Sequence, residues 1–190
     1  MNAYLIFAVL LAHGIQAQVL IVGKCPEIKE VQKNFDANKF VGTWYLVESY
    51  FAVFEIGKKC IEPVFSLNGN GTLLLRNRLV GKHSQKSTYF EGYSTTTGES
   101  GEAKFLFHFT SPPKLTGPTW PYWVLETDYD SYAVVWSCLQ TPKVNNQLAW
   151  VLTRDRKPSQ ETLDKAHAVF DKNDLDKKHL FKTEQTNCPK

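Results

Sequence analysis

Tyr122-Trp-Val-Leu-Glu-Thr-Asp-Tyr-Asp-Ser-Tyr-Ala-Val-Val-Trp-Ser-Cys138 decides how the rest of this chain is read. Two runs rich in β-branched and aromatic residues flank a short polar turn, residues 127–131. Such runs suit pleated, half-buried strands, and the turn between them predicts a β-hairpin. Working outward, strands are expected at residues 40–49, 61–67, 72–80, 87–95, 103–109, 122–126, 132–139 and 147–153. Asn68-Gly69-Asn70-Gly71 separates the second from the third, with residue types that supply the positive φ angles of a hairpin turn. Eight strands with no helix between them predict an all-β antiparallel sandwich or barrel.

A single helix follows the strands. Pro158-Ser159 marks its start, with Ser159 as N-cap and Glu161 in the first turn. Leu163, Ala166, Val169 and Phe170 then fall on one face. A last extended piece spans residues 180–183. Residues 25–39 read as polar and irregular.

Alternation within the strands bears on function. Phe105, Phe107 and Phe109 share a face opposite Lys104 and His108. Leu73, Leu75, Asn77 and Leu79 share a face opposite Arg76 and Arg78. Patterning alone leaves two outcomes open. The apolar faces fill a sandwich core, or they line a closed barrel wide enough for a small ligand.

Composition narrows the classes. With 190 residues and a net charge of +3, the chain suits one domain and is too weakly basic for electrostatic nucleic-acid binding. Residues 1–17 read as a secretory signal peptide, with an apolar run at residues 4–11 and small residues ending at Ala17. That run falls short of the roughly 18 apolar residues of a membrane span. The domain is then residues 18–190, secreted and extracellular. Four cysteines, Cys25, Cys60, Cys138 and Cys188, imply two disulfides in a secreted chain, with three pairings open. Their spacing does not fit a zinc site. No Gly-x-Ser-x-Gly element occurs, and His83, His108, His167 and His179 lie on separate elements, so an enzyme is not expected. Asn70-Gly71-Thr72 is a glycosylation sequon in an expected surface turn.

Three separated signatures resemble those of the lipocalins, in particular the apolipoprotein D-like group with the insect Lazarillo and bilin-binding proteins. Asn34-Phe35-Asp36, Lys39-Phe40, Gly42 and Trp44-Tyr45 match the first. Thr127-Asp128-Tyr129 with Tyr132 matches the second, and Arg154 after Ala149-Trp150-Val151-Leu152 the third. Gly23-Lys24-Cys25-Pro26 and Asn187-Cys188-Pro189 resemble the ends of the same group. The resemblance implies an eight-stranded up-and-down barrel with one helix outside, and disulfides Cys25–Cys138 and Cys60–Cys188. It implies that Gly42, Trp44, Thr127, Asp128, Tyr129 and Arg154 hold the fold, with the Arg154 guanidinium over the Trp44 indole at the closed end.

Alternation and the resemblance together nominate Phe65, Leu75, Asn77, Leu79, Phe107, Phe109, Trp123, Leu125 and Trp150 as ligand-binding. Trp123 and Leu125 enter that set because Glu126 is expected to face solvent. The implied function is carriage of a small hydrophobic ligand such as a fatty acid, sterol or retinoid, with no cofactor or metal and as a monomer. The alternatives are biliverdin binding, with Lys82, His83 and Lys86 at the mouth, and signalling or stress protection through a cell-surface receptor. Residues 110–121, with four prolines, Leu115 and Trp120, read as a stiff loop at the barrel mouth, with contact to a membrane or lipoprotein surface as the alternative.

Overall fold

A computed structural model describes residues 19–111 and 119–189. The signal peptide expected at residues 1–17 lies outside them, as does Leu115. In chain order the strands are β1 (Val19–Val22), β2 (Gly42–Thr43), β3 (Tyr45–Tyr50), β4 (Lys58–Leu67), β5 (Leu73–Gly81), β6 (Ser87–Thr96), β7 (Lys104–Ser111), β8 (Thr119–Thr127), β9 (Tyr132–Gln140), β10 (Val144–Thr153) and β11 (Leu180–Lys182). A four-residue helix α1 (Ala37–Phe40) precedes β2, and α2 (Gln160–Lys172) follows β10.

From β4 to β10 each strand pairs antiparallel with the next. The strand expected at residues 40–49 is broken at Trp44, and the break closes the barrel. Before it, Thr43 pairs with Val64 of β4; after it, Tyr45 pairs with Thr153 of β10. The first strand thus joins both ends of the meander and leaves the eight-stranded barrel without a long open edge. Two short strands are added outside: β1 on β10 and β11 on β3.

The strands run longer than composition suggested. β4 begins at Lys58 and is bulged between Lys59 and Glu62, where Cys60 takes a positive φ. In the turn after β4, positive φ falls on Gly71 alone, while Asn68 Oδ1 accepts from the Asn70 and Thr72 amides. The prolines of residues 110–121 do not exclude strand. β8 begins at Thr119, and Pro121 pairs with Leu106.

Helix α2 starts as expected, with Ser159 Oγ accepting from the Thr162 amide at 3.1 Å. Its buried face, Ala166, Val169 and Phe170, packs on the outside of the barrel, with Phe170 against Tyr50 of β3. Inside, Phe40, Trp44, Phe65 and Phe107 are fully buried. The Cys25–Cys138 bridge fixes the N-terminal segment to β9, and Cys60–Cys188 fixes the C-terminal tail to β4.

Candidate functional site

One end of the barrel is sealed by an arginine. The Arg154 guanidinium lies 3.7 Å from the centre of the Trp44 ring. Its Nε donates to the Tyr129 carbonyl at 3.0 Å and its Nη1 to Thr43 at 2.8 Å. Nη2 reaches the carbonyls of Lys39, Phe40 and Val41 at 3.1 to 3.4 Å. A partly buried cation is costly unless its donors are met, and here backbone oxygens from three segments meet them. Trp44 Nε1 donates to the Phe40 carbonyl at 2.9 Å, so the plug leaves its indole satisfied as well. Gly42 sits at φ +99°, and a Cβ there would lie 3.3 Å from Arg154 Nη1. The backbone conformation therefore favours glycine, and a Cβ would also crowd the guanidinium.

The hairpin turn supplies the other half of the seal. Asp128 Oδ1 accepts from the amides of Asp130, Ser131 and Tyr132, and its Oδ2 from the Ser131 hydroxyl. Burial pushes the Asp128 carboxyl up, but these bonds outweigh it and hold the group below the usual range. Thr127 Oγ1 donates to the Tyr132 carbonyl and accepts from the Tyr129 amide. Tyr129, at φ +69°, accepts the Asp36 amide on its hydroxyl and so ties the turn to α1.

Above this floor lies a narrow apolar cavity. The space unfilled by protein atoms amounts to about 780 Å³ out to and including the mouth. Leu46 of β3, Ile61 and Pro63 of β4, Leu75 and Asn77 of β5, and Phe90 of β6 form one wall. Phe107 and Phe109 of β7, Trp120, Pro121 and Tyr122 of β8, and Leu148, Trp150 and Leu152 of β10 form the other. Phe54 and Glu55 come from a 3-10 turn, Val53–Glu55, between β3 and β4. The Tyr122 ring stacks on Trp150 (5.9 Å, 25°) and meets Phe107 edge-on at 4.9 Å. Phe65 lies below, 5.0 Å from Phe40 and 6.1 Å from Tyr122, linking cavity to plug.

Few polar groups face this space. Trp150 Nε1 donates to Glu55 Oε1 at 3.0 Å, and Ser49 Oγ donates to Glu55 Oε2 at 2.9 Å. Burial outweighs both bonds and raises the Glu55 carboxyl from 4.5 to about 7. Burial likewise pushes the Tyr122 phenol far up, which keeps it neutral. The Asn77 amide oxygen is buried with no hydrogen-bond partner among the described residues. Of the residues lining the cavity none is Lys, Arg or His. All four cysteines are bridged and none is free, so no thiolate stands in it.

A model of the lipocalin / cytosolic fatty-acid binding protein family matches residues 41–187. This chain is a lipocalin. Apolipoprotein D of Macaca fascicularis is 35% identical over 178 residues, covering 92% of this chain and 89% of that protein. The Lazarillo protein of Schistocerca americana is 28% identical over 163 residues, covering 80% and 71%. Among solved structures, insecticyanin from the tobacco hornworm Manduca sexta superposes with a TM-score of 0.77 at 21% identity, covering 90% of this chain and 93% of that one.

The structure divides the nine residues nominated for ligand contact in this lipocalin. Leu75, Asn77, Phe107, Phe109 and Trp150 line the cavity, and Phe65 underlies it. Leu79 is fully buried in the core but does not line the cavity. Trp123 and Leu125, expected to point into the cavity, are both absent from its lining, which corrects that expectation. Glu126 does point away from the cavity, accepting from Tyr132 OH and pairing with Lys172 of α2. A register shift between Val124 and Glu126, however, interrupts the alternation. One extra residue reverses parity upstream, so Tyr122 faces the cavity instead. Trp123 packs against Trp136 (5.5 Å) beneath Lys104, and Leu125 is buried in the core. Trp120, placed at a lip by the proline-rich reading, also lines the cavity. Glu55 carried no signal beyond its position between Phe54 and Ile56, an acid inside an apolar turn.

Proposed function

We propose that this lipocalin is secreted and carries a small hydrophobic ligand, such as a fatty acid, sterol or retinoid, in the barrel cavity. The observation that carries the reading is the unfilled cavity, walled by aromatic and aliphatic side chains and closed at one end by the Trp44–Arg154 plug. At roughly 25 cal/mol per Å², burying about 300 Å² of apolar ligand surface yields about 7 kcal/mol, enough for useful binding once association costs are met. On this reading residues 1–17 are removed on secretion, the exposed Asn70 accepts a glycan, and the two bridges persist in an oxidising compartment. The biliverdin alternative has less support. A tetrapyrrole's propionates need cationic partners, and among the described residues that line the cavity none is basic, while Lys82 lies 3.8 Å from Glu184.

Native mass spectrometry with an absorption spectrum, on protein purified from its own tissue, tests the reading. Lipid-sized adducts on colourless protein are expected. A visible band with a tetrapyrrole mass would replace the reading with pigment carriage. Protein that arrives empty, and whose tryptophan emission no lipid quenches, would refute it.

A further inference from the structure

The cavity's two unusual polar groups specify the head of its ligand. Glu55 is anchored at both carboxyl oxygens, by Ser49 from β3 and Trp150 from β10. Among the described residues that line the cavity there is no compensating cation. It shares the lining with Asn77 of β5, Phe90 of β6, Phe107 and Phe109 of β7, and Tyr122 of β8, whose phenol is the other titratable group of the lining, and with Ile61 and Pro63 of β4. Lys58 and Lys59, the nearest basic residues in sequence, are turned elsewhere. Lys58 Nζ donates to Thr88 Oγ1, and Lys59 Nζ bonds the Asn187 carbonyl and lies 3.9 Å from Glu184. A carboxylate ligand would bring a second negative charge into an apolar space whose described lining offers none of the opposite sign.

Asn77 presents the opposite demand. Its side-chain oxygen is shut away from solvent and makes no hydrogen bond among the described residues. An unmet buried amide oxygen is costly, and a ligand hydroxyl or amide would recover that cost. Either orientation of the amide serves, since such heads both donate and accept.

We propose that the cavity selects neutral amphiphiles, apolar bodies ending in a hydroxyl or amide, over carboxylates, with Asn77 meeting the polar head and Glu55 setting its charge. The proposal rests on the reading of the cavity as the ligand site. Asn77 supplies the incentive for a polar end, and Glu55 supplies the discrimination: ionised, it repels an acid, and protonated, it tolerates one. The Glu55 carboxyl titrates at about 7, so the discrimination strengthens across the neutral range.

Retinol and retinoate, which share one hydrocarbon body and differ in the head, provide the test. Their dissociation constants would be measured by quenching of tryptophan emission at pH 6 and pH 8, on the full mature protein stripped of ligand. The ratio of the retinoate constant to the retinol constant should rise about tenfold from pH 6 to pH 8, because retinoate binding then draws on the protonated fraction alone. In Glu55→Gln, which keeps an acceptor for Trp150, the ratio should be the same at both pH values. Asn77→Leu should weaken retinol about fivefold, the worth of one neutral hydrogen bond, and leave the wild-type pH dependence of retinoate in place. Retinol binding with a ratio that does not change with pH in the wild type would overturn the head-group proposal and leave the carrier reading standing. Failure of both retinoids, and of oleyl alcohol and oleate as a second matched pair, would overturn both.

Discussion

Replacing Glu55 by glutamine should make the empty protein more stable at pH 8, and the size of the gain follows from the carboxyl's position. In the fold its pKa is about 7 against 4.5 for the ordinary group, because burial penalises the anion by more than Ser49 and Trp150 recover. Below pH 4.5 the carboxyl is protonated in both folded and unfolded chains, and the contribution is fully present. Between 4.5 and 7 the folded protein holds a proton that the unfolded chain has released, so stability falls with each pH unit. Above 7 both states are ionised and the loss is complete. A shift of this size corresponds to about 3 kcal/mol, a large share of the 5–15 kcal/mol typical of a domain. Glutamine keeps an acceptor for Trp150 Nε1 and a partner for Ser49 without titrating. Urea denaturation of wild type and Glu55→Gln, disulfides intact, would be followed by tryptophan emission at steps from pH 4 to pH 9. Titrations elsewhere cancel in the difference between the two proteins. That difference should be flat below about pH 4.5, grow in favour of the variant by about 3 kcal/mol, and level off above pH 7 to 8. A difference that stays constant across the range, or moves toward the wild type as pH rises, would refute the burial argument.

Three other outcomes follow from the framework around the cavity. Arg154→Ala should cost about 3 kcal/mol or more in urea denaturation, since it removes the side chain that donates to five backbone carbonyls, of which Phe40 alone keeps the Trp44 indole as a donor, and leaves Trp44 uncovered; Arg154→Lys should recover only part of this, because an ammonium cannot span the same acceptors. Removing the Cys60–Cys188 bridge by the double change to serine should lower stability by as much as about 5 kcal/mol on the chain-entropy account, given a separation of 128 residues, and limited proteolysis should then cut first near the C-terminal tail. Gly92→Ala should lower the thermal midpoint, because a Cβ there would stand 2.5 Å from the His108 carbonyl oxygen across the β6–β7 pair; an unchanged midpoint would mean that β7 shifts freely at that point.

The floor of this barrel was legible in the sequence and its walls were only partly so, for a physical reason. The floor depends on residues whose chemistry admits few substitutes. An indole must be capped by a planar cation with several donors, and a glycine must stand where a Cβ would press on that cation. Trp44, Arg154 and Gly42 were legible through the lipocalin signatures they belong to, and the contacts of the plug supply the physical reason for each. A wall residue is decided by parity, and parity accumulates along a strand from wherever it is anchored. On β5 and β7 the alternation runs unbroken through Leu75 and Asn77 and through Phe107 and Phe109, and those four face the cavity. On β8 the anchor was Glu126, and its outward orientation is correct, but a bulge lies between it and Trp123. A bulge adds one residue to a strand without changing its composition, so no run of β-branched or aromatic residues displays it. The same limit hid Glu55. Alternation finds residues on strands, whereas Glu55 arrives from a three-residue turn and is made a cavity group by its bonds to β3 and β10. Apolar strand faces therefore mark where a ligand's body would lie, while the group that decides its charge comes from a connection between strands. For this lipocalin, substitutions on the apolar wall should change how tightly a whole series of ligands binds, and substitution at Glu55 should change their order.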